Sequence, residues 1–244
     1  MAAKRRRNAA GVGLLVFLLL GVLVAVGLFA ADRYALGRTE RESAAQLRGQ
    51  LGTPTVPTVE VEGWPFLTQV LARDLKRVHV VADGIGAAPT AASGSTVRVS
   101  RADLVLTDVT SSDWFQTMTA QHVEGTALME YAELGSLSSV PLTYAGDGRL
   151  RVEQSTSFFG ASVTALVTGT PRLDVDAQTI ILADPTISVA GIELPEATAA
   201  ALLRALVKPI PVTGLPFNLT LSSLAAEDDG LHAGLEGNKV DFHR

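Results

Sequence analysis

The chain has 244 residues, of which 47% are hydrophobic and only 18% charged, with no cysteine and a net charge of −5. That apolar fraction excludes global disorder, and the missing cysteines exclude disulfides, thiolate metal sites and a cysteine nucleophile or lipid anchor. The acidic balance speaks against nucleic acid as the main partner, and the mean hydropathy of +0.28 is high for a soluble protein.

Part of the hydrophobic surplus sits at the front. Residues 9–31 (AAGVGLLVFLLLGVLVAVGLFAA) carry no charge. At about 1.5 Å per residue such a helix reaches roughly 35 Å, enough to cross a hydrocarbon core of about 30 Å. Lys4, Arg5, Arg6 and Arg7 precede the run and Asp32 follows it. Basic flanks stay on the cytoplasmic side. Residues 1–8 therefore read as a cytoplasmic tail, 9–31 as a transmembrane signal anchor, and the rest as extracytoplasmic. The rival is a cleaved signal peptide, but its apolar region spans only about 7–15 residues. Cutting after Ala31 or Ala30 also places Phe29 or Leu28 where a small residue is needed, and Ala25-Val26-Gly27 lies inside the run. The uncleaved anchor is the better reading. Removing the four basic residues of the tail leaves sixteen against 25 acidic ones, so the exported part carries −9. It has no polybasic patch for anionic headgroups.

Residues 32–53 are rich in Arg, Glu, Ala and Gln and read as a juxtamembrane helix or spacer. A Pro/Thr stretch follows, Thr53-Pro54-Thr55-Val56-Pro57-Thr58, and a domain over 54–244 is placed there. A helix opens at Gly63-Trp64-Pro65, where Pro65 suits a first turn. Phe66, Leu67, Val70 and Leu71 share one face, extended by Leu75. Residues 76–83 switch to strand period. Residues 87–96 (AAPTAASGST with its flanks) read as a flexible loop. The next strand, 97–109, changes phase between Val99 and Ala102, which predicts a β-bulge near 100–103.

Residues 111–115 read as a capped turn or short helix, 121–128 as a strand and 130–137 as a short helix. Beyond Leu142 strands dominate. Asp147-Gly148 predicts a hairpin turn, Phe158-Phe159-Gly160 a second turn, and Thr170-Pro171 a third, with strands at 179–182 and 186–189. A second amphipathic helix is expected over 195–208, with Ala199, Leu202, Leu203, Leu206 and Val207 on one face. The chain ends in a hairpin, 217–226 and 231–242, around Asp228-Asp229-Gly230. One internal echo stands out: Gly63-Trp64-Pro65-Phe66 and Gly214-Leu215-Pro216-Phe217 share a pattern, the first opening a helix and the second a strand.

Catalytic signatures are missing. His79, His122, His232 and His243 include no pair three or four apart, so no helical metal pair forms. Gly160-Ala161-Ser162-Val163 is not a nucleophile elbow, and no Walker or dinucleotide loop is present. Asp228-Asp229-Gly230 reads as a turn rather than a metal loop, and Asp174 and Asp176 as a solvated strand face. No cofactor, metal or catalytic residue is expected. What remains is apolar surface, which is either a well-filled core or a groove for an acyl chain.

The segment Gly63-Trp64-Pro65-Phe66-Leu67-Thr68-Gln69-Val70-Leu71-Ala72 resembles the opening motif of the LmeA-like family of actinobacterial envelope proteins. The tail resembles it too, in Leu215-Pro216-Phe217-Asn218-Leu219-Thr220-Leu221, Asp228-Asp229-Gly230-Leu231 and Gly234-Leu235-Glu236-Gly237. The resemblance covers roughly residues 55–244. Trp64 and Asn218 depart from the family's more usual Phe and Gly. It implies an α+β domain related to tubular lipid-binding proteins, a long twisted antiparallel sheet wrapped around one or two amphipathic helices. It also implies phospholipid or glycolipid binding in the cell envelope. Carried onto this chain, the lipid-facing candidates are Trp64, Phe66, Leu67, Val70, Leu71, Leu202, Leu203, Leu206 and Phe217. Gly63, Pro65, Gly214 and Pro216 would hold the local turns. The competing expectation is a non-catalytic scaffold of envelope assembly, in which these residues are packing anchors.

Overall fold

The computed structural model describes residues 5–89, 96–138, 141–158, 161–189, 192–193, 209–212 and 215–243. The chain opens with α1 (Arg5–Leu51), β1 (Thr58–Glu62), α2 (Phe66–Ala72), β2 (Asp74–Pro89), β3 (Thr96–Thr110), β4 (Thr117–Met129) and α3 (Tyr131–Ser138). It continues with β5 (Leu142–Gly146), β6 (Arg149–Phe158), β7 (Ala161–Asp174), β8 (Thr179–Val189), β9 (Ile192–Glu193) and β10 (Ile210–Pro211). A 3₁₀ turn (Pro216–Asn218), β11 (Thr220–Ala226) and β12 (Leu231–His243) close it. The fold is α+β: a long apolar helix followed by a domain of antiparallel strands. The expected helix at 195–208, with Leu202, Leu203 and Leu206, lies outside the described residues, as does Gly214.

The strands form two sheets. Sheet A has the order β1-β2-β3-β4-β12-β11, and sheet B the order β10-β8-β7-β6-β5, with β9 also on β8. The main core of sheet A packs Phe66 of α2 among Val61, Leu75, Leu106, Val109, Ala120, Val123 and Val240. At the opposite end of sheet A, Leu150, Ala226 and Leu231 are joined by Tyr131, Leu134 and Tyr144. There Tyr131 donates its hydroxyl to the carbonyls of Glu227 and Gly230, pinning α3 to the β11–β12 turn. Burial pushes that hydroxyl up to about 12, although the Glu227 hydrogen bond acts against it. Sheet B has its own core of Ala165, Val167 and Ile187.

Three details differ from the expectations above. Register runs unbroken from Arg101 to Leu106 opposite Asp83 to Val78, and the bulge lies instead on β2 between Ile85 and Ala88. A second break, which the sequence reading does not predict, runs across the sheet. In each of four neighbouring strands, two buried or core-packed residues lie three apart rather than two: Leu75 and Val78, Leu106 and Val109, Ala120 and Val123, Gly237 and Val240. These breaks sit side by side in the pairing, and Asp108 and Lys239 take left-handed φ values of 48° and 52° there. The four strands exchange faces along one line, so both halves of each strand reach the core.

The third difference concerns Thr170-Pro171, which is no turn: β7 runs through it and Pro171 pairs with Leu182. A proline is tolerated there because the register shifts between Thr168 and Thr170, opposite Asp184 at φ 47°. The turn comes later, at residues 175–178, and the stretches 179–182 and 186–189 are one strand. β1, which begins at the last residue of the Pro/Thr stretch, is a paired strand that the sequence reading leaves unassigned.

Both edges of sheet A are covered, which matters because an open edge invites pairing with another chain. On the β1 edge, the second half of α1 lies alongside, and the Glu40 carboxylate accepts the free amide of Val61 at 3.0 Å. On the β11 edge, Gln178 from the β7–β8 turn acts as a surrogate strand. Its Oε1 accepts the Leu221 amide at 2.8 Å and its Nε2 donates to the Leu221 carbonyl at 3.0 Å. Gln178 thereby ties sheet B to sheet A.

Candidate functional site

The two echoing motifs lie toward the same end of sheet A, the first beside its β1 edge and the second against the end of β12. Antiparallel pairing brings together the end of β1, the start of β2, the β3–β4 loop, the end of β12 and the start of β11. α2 caps this end. Gly63 has φ 103°, a backbone conformation that L side chains rarely adopt, and its missing Cβ leaves room for the Gln69 amide. Gln69 donates to the Glu62 carbonyl at 3.3 Å and accepts the Lys76 amide at 3.0 Å, bridging β1 to β2 across the helix. Arg73 ends the helix in the left-handed conformation, its amide donating back to Val70 at 3.0 Å.

The start of α2 has no cap of its own, because its N-cap residue is Pro65. The cap comes from far away in sequence. Asp32 of α1 is 3% exposed, and its Oδ1 accepts the Leu67 amide at 2.7 Å. Its Oδ2 accepts from Arg33 at 3.0 Å. Burial by itself raises the Asp32 carboxyl, but hydrogen bonds from the Leu67 and Phe66 amides and from Arg33 outweigh it and hold the group below its ordinary range. A carboxylate at a helix N-terminus meets both the free amides and the positive end of the helix dipole. The first residue after the apolar run is thus locked to the opening motif of the domain.

The motif residues divide in their placement. Phe66 is buried at 2% exposure in the centre of the core. Leu67 and Val70 are half-buried and pack on that core. Trp64 and Leu71 point outward, 68% and 72% exposed. In the second motif Phe217 is 46% exposed and lies against Phe242, ring centroids 4.8 Å apart. The turn that carries it is one 3₁₀ turn before β11, so the strand begins later than its Phe suggests. Pro216 lies in that turn.

A residue that sequence reasoning did not single out completes the group. Trp114 is 63% exposed, and Arg73 lies over its ring at 5.6 Å from the centroid. Its loop is held by Ser111, whose Oγ accepts the Phe115 amide at 2.8 Å, and by Asp113, whose carboxylate accepts the Thr117 amide at 2.8 Å. Phe115 turns in to the core while Trp114 turns out. The Ser-Ser-Asp signal for a capped turn was visible, but the partner of Trp114 was not.

Polar clusters elsewhere are accounted for by their own pairing. His79 meets Asp103 at 2.7 Å on the outer face of sheet A, with Glu60 at 3.8 Å. His122 meets Asn238 at 2.9 Å and Glu124 at 2.7 Å, and these partners, Asn238 foremost, raise its pKa. Glu227, Asp229 and His232 lie within 4.8 Å of one another at the β11–β12 turn, where His232 pairs with Asp229 at 2.8 Å. A shallow concavity on the outer face of sheet A is lined by Arg77, Asp103, Thr107, Glu124, Ser223 and Glu236. Its polar lining suits water rather than an acyl chain.

The apolar inner faces differ. Val80, Leu104 and Leu235 of sheet A are only half-buried, as are Val152, Leu182 and Val189 of sheet B. A family model described as LmeA-like phospholipid-binding matches residues 30–236. Neither the curated proteins nor the solved structures return a match.

Proposed function

The chain belongs to the LmeA-like phospholipid-binding family, and from that premise we propose that it is a membrane-anchored protein that binds a phospholipid or glycolipid on the extracytoplasmic side. In this reading residues 9–31 cross the membrane with the N-terminus in the cytoplasm, and the domain supports envelope lipid or glycolipid assembly. The family match over residues 30–236 carries the reading. The apolar side chains of α1 support it: from Leu18 to Phe29 they are 54% to 66% exposed, unlike those of a core helix.

Acyl chains are assigned to the half-buried inner faces around Val80, Leu104 and Leu235 on one sheet and Val152, Leu182 and Val189 on the other. Each CH₂ buried from water contributes about 0.8 kcal/mol, so a chain of sixteen carbons gains roughly 13 kcal/mol relative to water before ordering costs, and no catalytic group is needed. Leu67 and Val70 would flank the entrance, and Phe66 would hold the wall behind it.

The test is mass spectrometry of lipid extracted from the full chain purified in mild detergent. Stoichiometric phospholipid or glycolipid is expected, exchangeable with labelled lipid from vesicles. A lipid-free protein that extracts nothing from vesicles would sink the reading and leave the scaffold role.

A further inference from the structure

The membrane-crossing assignment of α1 has a geometric consequence for the domain, and the inference here rests on that assignment. α1 is one continuous helix from Arg5 to Leu51. Its second half runs along the edge of sheet A in a defined direction. Asp32 bonds α2, Glu40 bonds Val61 of β1, and Arg48 donates to the carbonyl of Pro54, which itself lies against Gly84 of β2. The helix therefore enters at the α2 end and travels toward the middle of β2. Its apolar half leaves past the α2 end, where Asp32 marks the boundary.

Four large apolar side chains stand exposed at that same end: Trp64, Leu71, Trp114 and Phe217. They come from three separate segments, β1–α2, β3–β4 and the turn before β11. Trp114 and Phe217 are presented by backbone in the left-handed region, φ 57° and 60°, which bulky residues adopt only under constraint. Phe217 packs on Phe242 and Trp114 lies under Arg73, and the rest of each ring stays open to solvent. Arg33 adds an interface marker on α1, paired to Asp32 and lying over the Phe29 ring at 5.8 Å. Tryptophan and arginine are the residues that settle at the headgroup level.

We propose that the α2 end of sheet A is a bilayer-docking surface: Trp64, Leu71, Trp114 and Phe217 insert among the headgroups of the membrane that α1 crosses, and the Asp32–Leu67 bond fixes their depth. Docking sets the entrance beside Leu67 and Val70 against the leaflet that supplies the lipid, so that a chain passes from bilayer to domain without crossing water.

The chain contains two tryptophans, Trp64 and Trp114, and both belong to this surface. Intrinsic fluorescence therefore reports it with no label. The experiment reconstitutes the full chain in phosphatidylcholine–phosphatidylglycerol nanodiscs and compares lipids carrying a quencher near the headgroup with lipids quenched at the chain terminus. Headgroup-level quencher should lower the emission about twofold, with little effect from the deep one. Trp64→Phe and Trp114→Phe separate the two contributions, each retaining a quenched signal from the other. Because the chain lacks cysteine, Leu20→Cys carrying an environment-sensitive dye reports the span independently. Quenched tryptophans with a membrane-buried dye support docking, and quenched tryptophans with a water-exposed dye overturn the anchor on which it rests. A membrane-buried dye with unquenched tryptophans overturns docking and leaves the anchor reading standing. A water-exposed dye with unquenched tryptophans overturns both. Unquenched tryptophans in a nanodisc holding two copies also overturn it.

Discussion

Asp32→Ala is the sharpest single perturbation of this architecture. It removes the acceptor of the Leu67 amide, bonded at 2.7 Å, together with the interaction with the Phe66 amide. Pro65 offers no side-chain cap in its place. Loss of an N-cap costs about 1 kcal/mol, and the buried setting adds a comparable amount, since the freed amides do not regain water fully. A total of about 2 kcal/mol corresponds to roughly a thirtyfold shift in local opening. Hydrogen exchange of the full chain in nanodiscs, read on peptides spanning residues 63–75, should show protection at Phe66 and Leu67 falling by about that factor. Asp32→Asn keeps an oxygen but loses the charge, so about half the free energy is retained, a loss of roughly fivefold. The pH dependence has a defined sign. The folded-state carboxyl titrates below its unfolded value, so its stabilisation is present above about pH 4 and is lost as pH falls through the folded value. Wild type should lose protection in that acid range, and Asp32→Asn should not show this step. Wild-type protection at Leu67 in Asp32→Ala would refute the cap, and with it the rigid link between α1 and the domain.

Three further outcomes test other parts of the structure. Gln178→Ala leaves both backbone groups of Leu221 without their partner and should lower the urea midpoint by about 1–3 kcal/mol equivalent, whereas an exposed glutamine with no such role would change almost nothing. Gly125→Ala places a Cβ 2.2 Å from the Asp103 carbonyl oxygen, in backbone that must move, so it should destabilise by about 1–3 kcal/mol in the same assay, and a neutral result would contradict the tight β3–β4 approach. The raised pKa of His122 means its contribution is complete below about pH 6.5 and fades as pH rises through the folded value; NMR titration should find Asn238→Ala moving that value down, and an unchanged titration would remove Asn238 as the main cause.

Much of the fold was legible because its signals are local. Asp147-Gly148 at φ 50° and 69° makes the expected hairpin turn. The periodicity of Phe66, Leu67 and Val70 located α2, and the short helix read at 130–137 is α3. The face exchange across β2, β3, β4 and β12 was not read, because period-two reading sees one strand at a time, whereas the break is set by four strands in register. Thr170-Pro171 read as a turn because proline lacks an amide donor, and only the register shift opposite Asp184 shows how a strand carries it. For the candidate site, Trp64 and Phe217 were visible through their shared motif, but Trp114 was not. Its place beside Arg73 depends on the β3–β4 loop folding back onto α2.

By itself the sequence determined where a membrane-length helix lies, that the part after it is acidic and rich in antiparallel strands, and which motif opens the domain. Those features are written in composition and short-range period, which any segment carries before it folds. Tertiary structure alone decided that Asp32 caps a helix 35 positions away, that Glu40 and Gln178 close the two edges of sheet A, and that three distant segments present their aromatic residues at one end. Such contacts join groups separated by tens to hundreds of residues, and no local pattern encodes a partner that only chain folding brings within hydrogen-bond reach.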